Sequence, residues 1–206
     1  ELEIMSENAK YEKKYCYEGL KYLKSLEKLT LEIPWKFKNL NVSVLQNLKE
    51  LSLNSSELSS NMELFKEMPK LQSLKLESWS SINLEILKYF PNLKALEILK
   101  EHNGWDIHDL KAFSSCLNLT ELKIFSKDAE LSSLSGLADL KKLQKLTLEG
   151  INNLNKISKE EHLKNIEEIK SSSLRILELN NCYSIIKTYK PGELNLDKFI
   201  FNGKSI

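Results

Sequence analysis

The sequence predicts an α/β solenoid, one parallel sheet assembled from a short strand per repeat, with the rest of each repeat returning along the opposite wall. Three observations predict it. A phrase of the form L-x-x-L-x-L recurs along the whole chain. Its copies stand 22 to 31 residues apart. Leucine, at 39 of 206 residues against 2 valines, is placed by position and is not generic filler of a sheet sandwich, whose strands favour branched residues.

The copies, in order, are "LEKLTL" (26–31), "LKELSL" (48–53), "LQSLKL" (71–76), "LKALEI" (93–98), "LTELKI" (119–124), "LQKLTL" (143–148), "LRILEL" (174–179) and, with aromatics, "LDKFIF" (196–201). Their fourth positions are Leu29, Leu51, Leu74, Leu96, Leu122, Leu146, Leu177 and Phe199, at intervals of 22, 23, 22, 26, 24, 31 and 22. "ELEIM" at the start fits the same frame, with Leu2 on the fourth position and Ile4 on the sixth. The array therefore counts eight to nine repeats, and residues 1–206 form one domain, expected to be a segment of a longer chain because it opens inside a repeat.

Between the strands the apolar residues fall at helical spacing. "SINLEILKYFP" (81–91) puts Ile82, Ile86, Leu87 and Phe90 on one face, and "NMELFKEMP" (61–69) does the same with Leu64, Phe65 and Met68. Pro69 and Pro91 then stop the helix two residues before the next strand phrase. "DIHDLKAFSSCL" (106–117) and "SKEEHLKNIEEI" (158–169) are read as further outer helices, the second capped by Ser158 with Glu161 in the capping-box position. This predicts more helix than strand.

These phrases and spacings resemble the leucine-rich repeat family over essentially the whole chain. The resemblance implies a horseshoe whose inner wall is the parallel sheet, and helical returns imply a strongly curved one, similar to the ribonuclease-inhibitor-like and cysteine-containing subfamilies. The ninth position of a repeat is Asn or Cys in many members. "LRILELNNCYSI" puts Cys182 there, whereas the other repeats have Pro34, Ser56, Trp79, Glu101, Lys127, Ile151 and Lys204. What the family implies for function is a non-enzymatic scaffold that binds a macromolecular partner on its concave face. The alternative is the substrate-recognition segment of an F-box-like ubiquitin-ligase adaptor, or of a larger enzyme or effector whose active module lies outside these residues.

Charge narrows the partner. The net charge is +1 with Lys and Glu interleaved, which gives no field to draw nucleic acid or an anionic membrane. There are 29 Lys but one Arg, Arg175, a bias that fits an AT-rich genome and removes the residue best suited to bidentate phosphate contacts. No apolar run reaches the ~18 residues of a membrane span. Cys16, Cys116 and Cys182 are odd in number and far apart, which favours a reducing, intracellular setting over a disulfide framework. The sequons at Asn41, Asn54 and Asn118 are near what this Asn- and Ser-rich composition yields.

No phosphate loop, C-x-x-C, H-E-x-x-H or G-x-S-x-G occurs, so no enzyme and no cofactor is expected. The one constellation with metal-ligand types is "EHNGWDIHD" (101–109), with His102, Asp106, His108 and Asp109; the two aspartates also suit the start of a helix, where carboxylates cap free N–H groups, and that assignment is preferred. His162 is read as a solvated helix residue, and Cys116 as packed and unreactive.

Strand alternation locates a candidate binding surface. If the fourth and sixth positions point inward, the third, fifth and seventh line the outward face of the sheet. Most of that face is polar, and the local exception is where Leu99 and Phe125 fall side by side, with Trp79 and Trp105 in the flanking turns. This cluster is the candidate protein-binding hot spot, with Lys75, Glu97 and Lys123 as its polar rim. The competing assignment folds both tryptophans under the loops as a cover for the core edge. With no obvious polar cap in "ELEIM" or "LDKFIFNGKSI", self-association through the ends is also expected.

Overall fold

The computed structural model describes residues 1–4, 17–33, 41–55, 65–78, 82–100, 107–126, 131–151, 157–182 and 189–206. Each strand phrase forms a strand: β1 (Leu2–Ile4), β2 (Lys28–Ile33), β3 (Glu50–Ser55), β4 (Ser73–Ser78), β5 (Ala95–Lys100), β6 (Glu121–Ser126), β7 (Lys145–Glu149), β8 (Ile176–Asn180) and β9 (Lys198–Phe201). They lie in chain order in one sheet, all parallel, and β10 (Lys204–Ser205) adds an antiparallel strand beyond β9. The fourth positions are register partners throughout, from Leu2↔Leu29 to Leu177↔Phe199. The strand frame read from the repeat is thus the frame of the fold.

The reason is side-chain alternation. In β3 to β6 burial alternates strictly, and Leu51, Leu53, Leu74, Leu76, Leu96, Ile98, Leu122 and Ile124 are all at most 2 % exposed. Each such side chain contributes about 1.5–3 kcal/mol by leaving water. The eighth position also points inward and is polar: Ser55, Ser78, Lys100 and Ser126 are buried, and Ser55, Ser78 and Lys100 each have an interaction partner.

Two further ladders bind repeat to repeat. At the second position one carbonyl accepts two amides of the next repeat, as Lys49 O does from Gln72 N at 2.8 Å and Ser73 N at 3.0 Å. One residue before the first consensus Leu, Asn side chains donate backwards: Asn47 to Lys24 O (2.7 Å), Asn92 to Pro69 O (2.8 Å), Asn118 to Pro91 O (2.9 Å) and Asn195 to Lys170 O (3.1 Å). This satisfies carbonyls that turn away from the sheet. The Asn-Leu dipeptides at 47–48, 92–93, 118–119 and 195–196 are the sequence signal of this ladder.

The returns differ from expectation. Among the described residues there is one α-helix, α1 (Lys159–Ser171); the others are 3-10 turns such as Leu84–Tyr89, Leu110–Phe113 and Leu137–Asp139, and residues 65–68 form no helix. Mostly helical returns are therefore not what the fold uses. Repeat length explains it: an interval of 22–26 residues leaves too few after the strand and its two connections for a three-turn α-helix, whereas the 31-residue interval before Leu177 houses the 13 residues of α1. The apolar residues do point inward as the spacing required. Phe65, Met68, Ile82, Ile86, Leu87 and Phe90 are buried, and Phe65 meets Phe90 edge to face at 5.8 Å. Inward pointing needs only that spacing, which a 3-10 turn supplies as well, and with thin returns the argument for strong curvature loses its basis.

α1 begins as the sequence indicates, with Ser158 Oγ accepting from Glu161 N at 3.2 Å. It docks through Ile166, Ile169 and the buried Asn165, which accepts from Leu134 N at 2.7 Å. His162 is not the solvated residue expected: it is half-buried, and its Nδ1 is enclosed with no hydrogen-bond partner among the described residues. The expectation of no cap at "LDKFIFNGKSI" also needs correction. Asn202 and Gly203 both have positive φ (48° and 74°), the two-residue hairpin that folds β10 onto the edge of β9.

Candidate binding surface

The outward rows of the sheet carry the candidate site. Along the seventh positions, register partners run Glu32, Asn54, Glu77, Leu99, Phe125, Glu149, Asn180. Leu99 and Phe125 are therefore neighbours on adjacent strands, both half-buried, at the middle of the sheet. Along the fifth positions, Lys75, Glu97 and Lys123 lie next to one another, one strand apart, on the same face. Those five predicted site residues come together. Trp79 and Trp105 lie outside the described residues.

The rim is internally paired. Lys123 Nζ contacts Glu97 at 3.0 Å, and Lys75 Nζ contacts Glu77 on its own strand at 3.8 Å. The hydrogen bond that Lys123 donates to Glu97, helped by the charges of Glu97, Glu149 and Glu178 and opposed by burial, holds Lys123 above the usual lysine range. Below, along the third positions, Lys145 meets Glu121 at 2.8 Å and Lys28 meets Glu50 at 3.4 Å. Thr147 is 4 % exposed although it faces outward, because Lys123 and Glu178 flank it in register. The two carboxylates that bracket the apolar pair, Glu77 and Glu149, were not singled out from sequence, although the spacing that located Leu99 places them in the same row.

Elsewhere little chemistry is assembled. Among the described residues no group of three His, Cys, Asp or Glu is arranged to hold a metal. His102 and Asp106 lie outside the described residues, and Asp109 is a helix cap, accepting from Lys111 N at 3.0 Å. Burial pushes the Cys116 thiol up to about 11, so it stays protonated and inert at neutral pH. Cys182, in the ninth slot, is also buried; its thiol is pushed up to about 11 chiefly by that burial, and it donates to Leu148 O at 3.3 Å and Asn180 O at 3.2 Å. It ties one repeat to the previous one. On the opposite wall a polar groove of about 540 Å³ runs between α1 and two 3-10 turns, lined by Asp109, Lys111, Glu161, Lys164 and Glu168 among others. No described helix is long and apolar enough to cross a membrane.

A parallel strand per repeat, a leucine ladder within and an Asn ladder between repeats define a leucine-rich repeat solenoid. Among the solved structures similar to it is the crystal structure of an internalin (inlF) from Listeria monocytogenes, with a TM-score of 0.50 and 18% sequence identity over 81% of this chain and 45% of that one. The chain thus spans less than half the length of that structure, and at this identity the likeness concerns the fold. No protein-family profile and no curated protein matches the chain.

Proposed function

We propose that this chain is a non-enzymatic scaffold that binds a protein partner on the outward, concave face of its sheet. The observation that carries this reading is the Leu99–Phe125 pair, two large apolar side chains adjacent at the middle of a mostly polar face, whose other large apolar residues, Ile176 and Ile200, lie towards its β8–β9 end. Apolar anchors near the centre of an interface supply most of its energy, and the surrounding ion pairs suit a rim. The near-neutral chain and the single arginine favour protein over nucleic acid. The F-box-adaptor reading retains one supporting residue, Cys182 in the ninth slot.

The test is paired affinity capture from the source organism with the wild-type chain and a Leu99→Ala/Phe125→Ala double variant as baits, followed by titration of any protein lost. The double variant is expected to weaken binding by at least about 2 kcal/mol while its melting changes little, because these side chains point away from the core. Retention of every partner by the double variant, with its fold intact, overturns the reading.

A further inference from the structure

The apolar pair does not stand in a neutral field. From β4 to β7 its row reads Glu77, Leu99, Phe125, Glu149, so a carboxylate closes it at either end. Glu77 is approached by the Asn54 amide at 3.2 Å and by Lys75 at 3.8 Å, while the side-chain carboxylate of Glu149 has no hydrogen bond or ion pair among the described residues. Over the fifth and seventh positions of β4 to β8 stand two lysines, Lys75 and Lys123, and four glutamates, Glu77, Glu97, Glu149 and Glu178. That patch has a formal charge of −2 in a chain whose total is +1.

Resting on the protein-binding reading above, we infer that this face takes an extended basic segment of its partner, one apolar side chain over Leu99 and Phe125 with a Lys or Arg two residues to each side reaching Glu77 and Glu149. The spacing selects this form. Neighbouring strands are about 4.8 Å apart, so Glu77 and Glu149 are separated by three intervals, about 14 Å. An extended chain advances about 3.3 Å per residue and shows alternate side chains to one side, so residues i, i+2 and i+4 span about 13 Å on a single face. An α-helix needs nine to ten residues for about 14 Å, and at 100° per residue the last of these has turned away from the face carrying the first. Each carboxylate gains a cation to which it is not already tightly bound, and the apolar anchor covers two adjacent apolar side chains that hold water poorly.

The experiment selects random linear peptides, displayed on phage, against the wild-type chain and reads every enriched peptide against a Glu77→Lys/Glu149→Lys variant and the Leu99→Ala/Phe125→Ala variant. Enrichment of an apolar residue with Lys or Arg two positions to each side is expected, with ~tenfold weaker binding to the charge-reversed variant and a loss of affinity on raising the salt. Enriched peptides without that basic pattern, or binding that the charge reversal leaves unchanged, overturn the inference. If such peptides still fail on the Leu99→Ala/Phe125→Ala variant, the scaffold reading stands without it; no enrichment, or binding indifferent to both variants, overturns both. Should the charge-reversed chain misfold by circular dichroism, Glu77→Gln/Glu149→Gln gives the same readout with a smaller loss.

Discussion

The side-chain amide of Asn118 donates to the backbone carbonyl of Pro91 at 2.9 Å, reaching back 27 positions to the residue before its equivalent, Asn92, in the previous repeat, and its own oxygen accepts from Lys142 Nζ of the next repeat at 2.6 Å. One side chain thus links three repeats. Asn118→Ala is expected to cost about 0.5–1.5 kcal/mol, the net worth of an ordinary hydrogen bond together with a carbonyl left to water. Urea unfolding checks it; a value within error of zero would show the ladder to be decorative.

Core and wall should respond differently to truncation. Leu96→Ala or Leu122→Ala, each at most 1 % exposed in the middle of the stack, should cost roughly 2–5 kcal/mol, whereas Lys75→Ala on the outward face should cost about 0.5 kcal/mol or less. Because solenoid repeats contact only their neighbours, the denaturation curve of a core variant should also broaden.

Gly136 has φ +93°, and a Cβ there would lie 2.8 Å from Lys111 N. Both the left-handed backbone and the close approach of the neighbouring turn require glycine. Gly136→Ala is expected to destabilise by more than about 1 kcal/mol, read as a fall in melting temperature, while Gly192→Ala, which meets nothing within 4 Å, should do so far less.

Stability should fall in alkali. The thiols of Cys116 and Cys182 are raised to about 11, so between their ordinary range near 9 and that value the unfolded chain releases protons that the folded chain keeps. Their contribution is present below about pH 8.5 and lost as pH rises through 11. Lys28 and Lys123, held above the usual range mainly by hydrogen bonds to Glu50 and Glu97, act in the same direction above it. Replacing both cysteines by Ser would flatten this slope between pH 9 and 11 in a melting series. Iodoacetamide at pH 8 should leave both thiols unlabelled until urea is added.

The far-UV circular dichroism should be dominated by strand, since nine parallel strands face one 13-residue α-helix among the described residues. The helical spacing of "SINLEILKYF" had suggested the reverse. A spectrum with more α-helix than strand would overturn the 3-10 returns.

What the sequence determined by itself was the inner wall. A period of two within each phrase and 22–31 between phrases leaves one register in which Leu29, Leu51, Leu74 and their successors are buried together; a shift of one residue would turn every leucine to water. The same alternation puts Leu99, Phe125, Lys75, Glu97 and Lys123 on the outward face. Tertiary structure decided the rest. Apolar spacing at i, i+3 and i+4 is shared by an α-helix and by tight 3-10 turns, and the choice between them follows from how much chain remains to span the distance between stacked strands. His162 shows the same limit: it is half-buried with its Nδ1 enclosed, which the helical pattern of its own segment does not reveal. What holds each charge was decided there too: Glu77 and Glu149 share a seventh-position row that the repeat frame already gives, but only the packed structure sets the Asn54 amide and Lys75 beside Glu77.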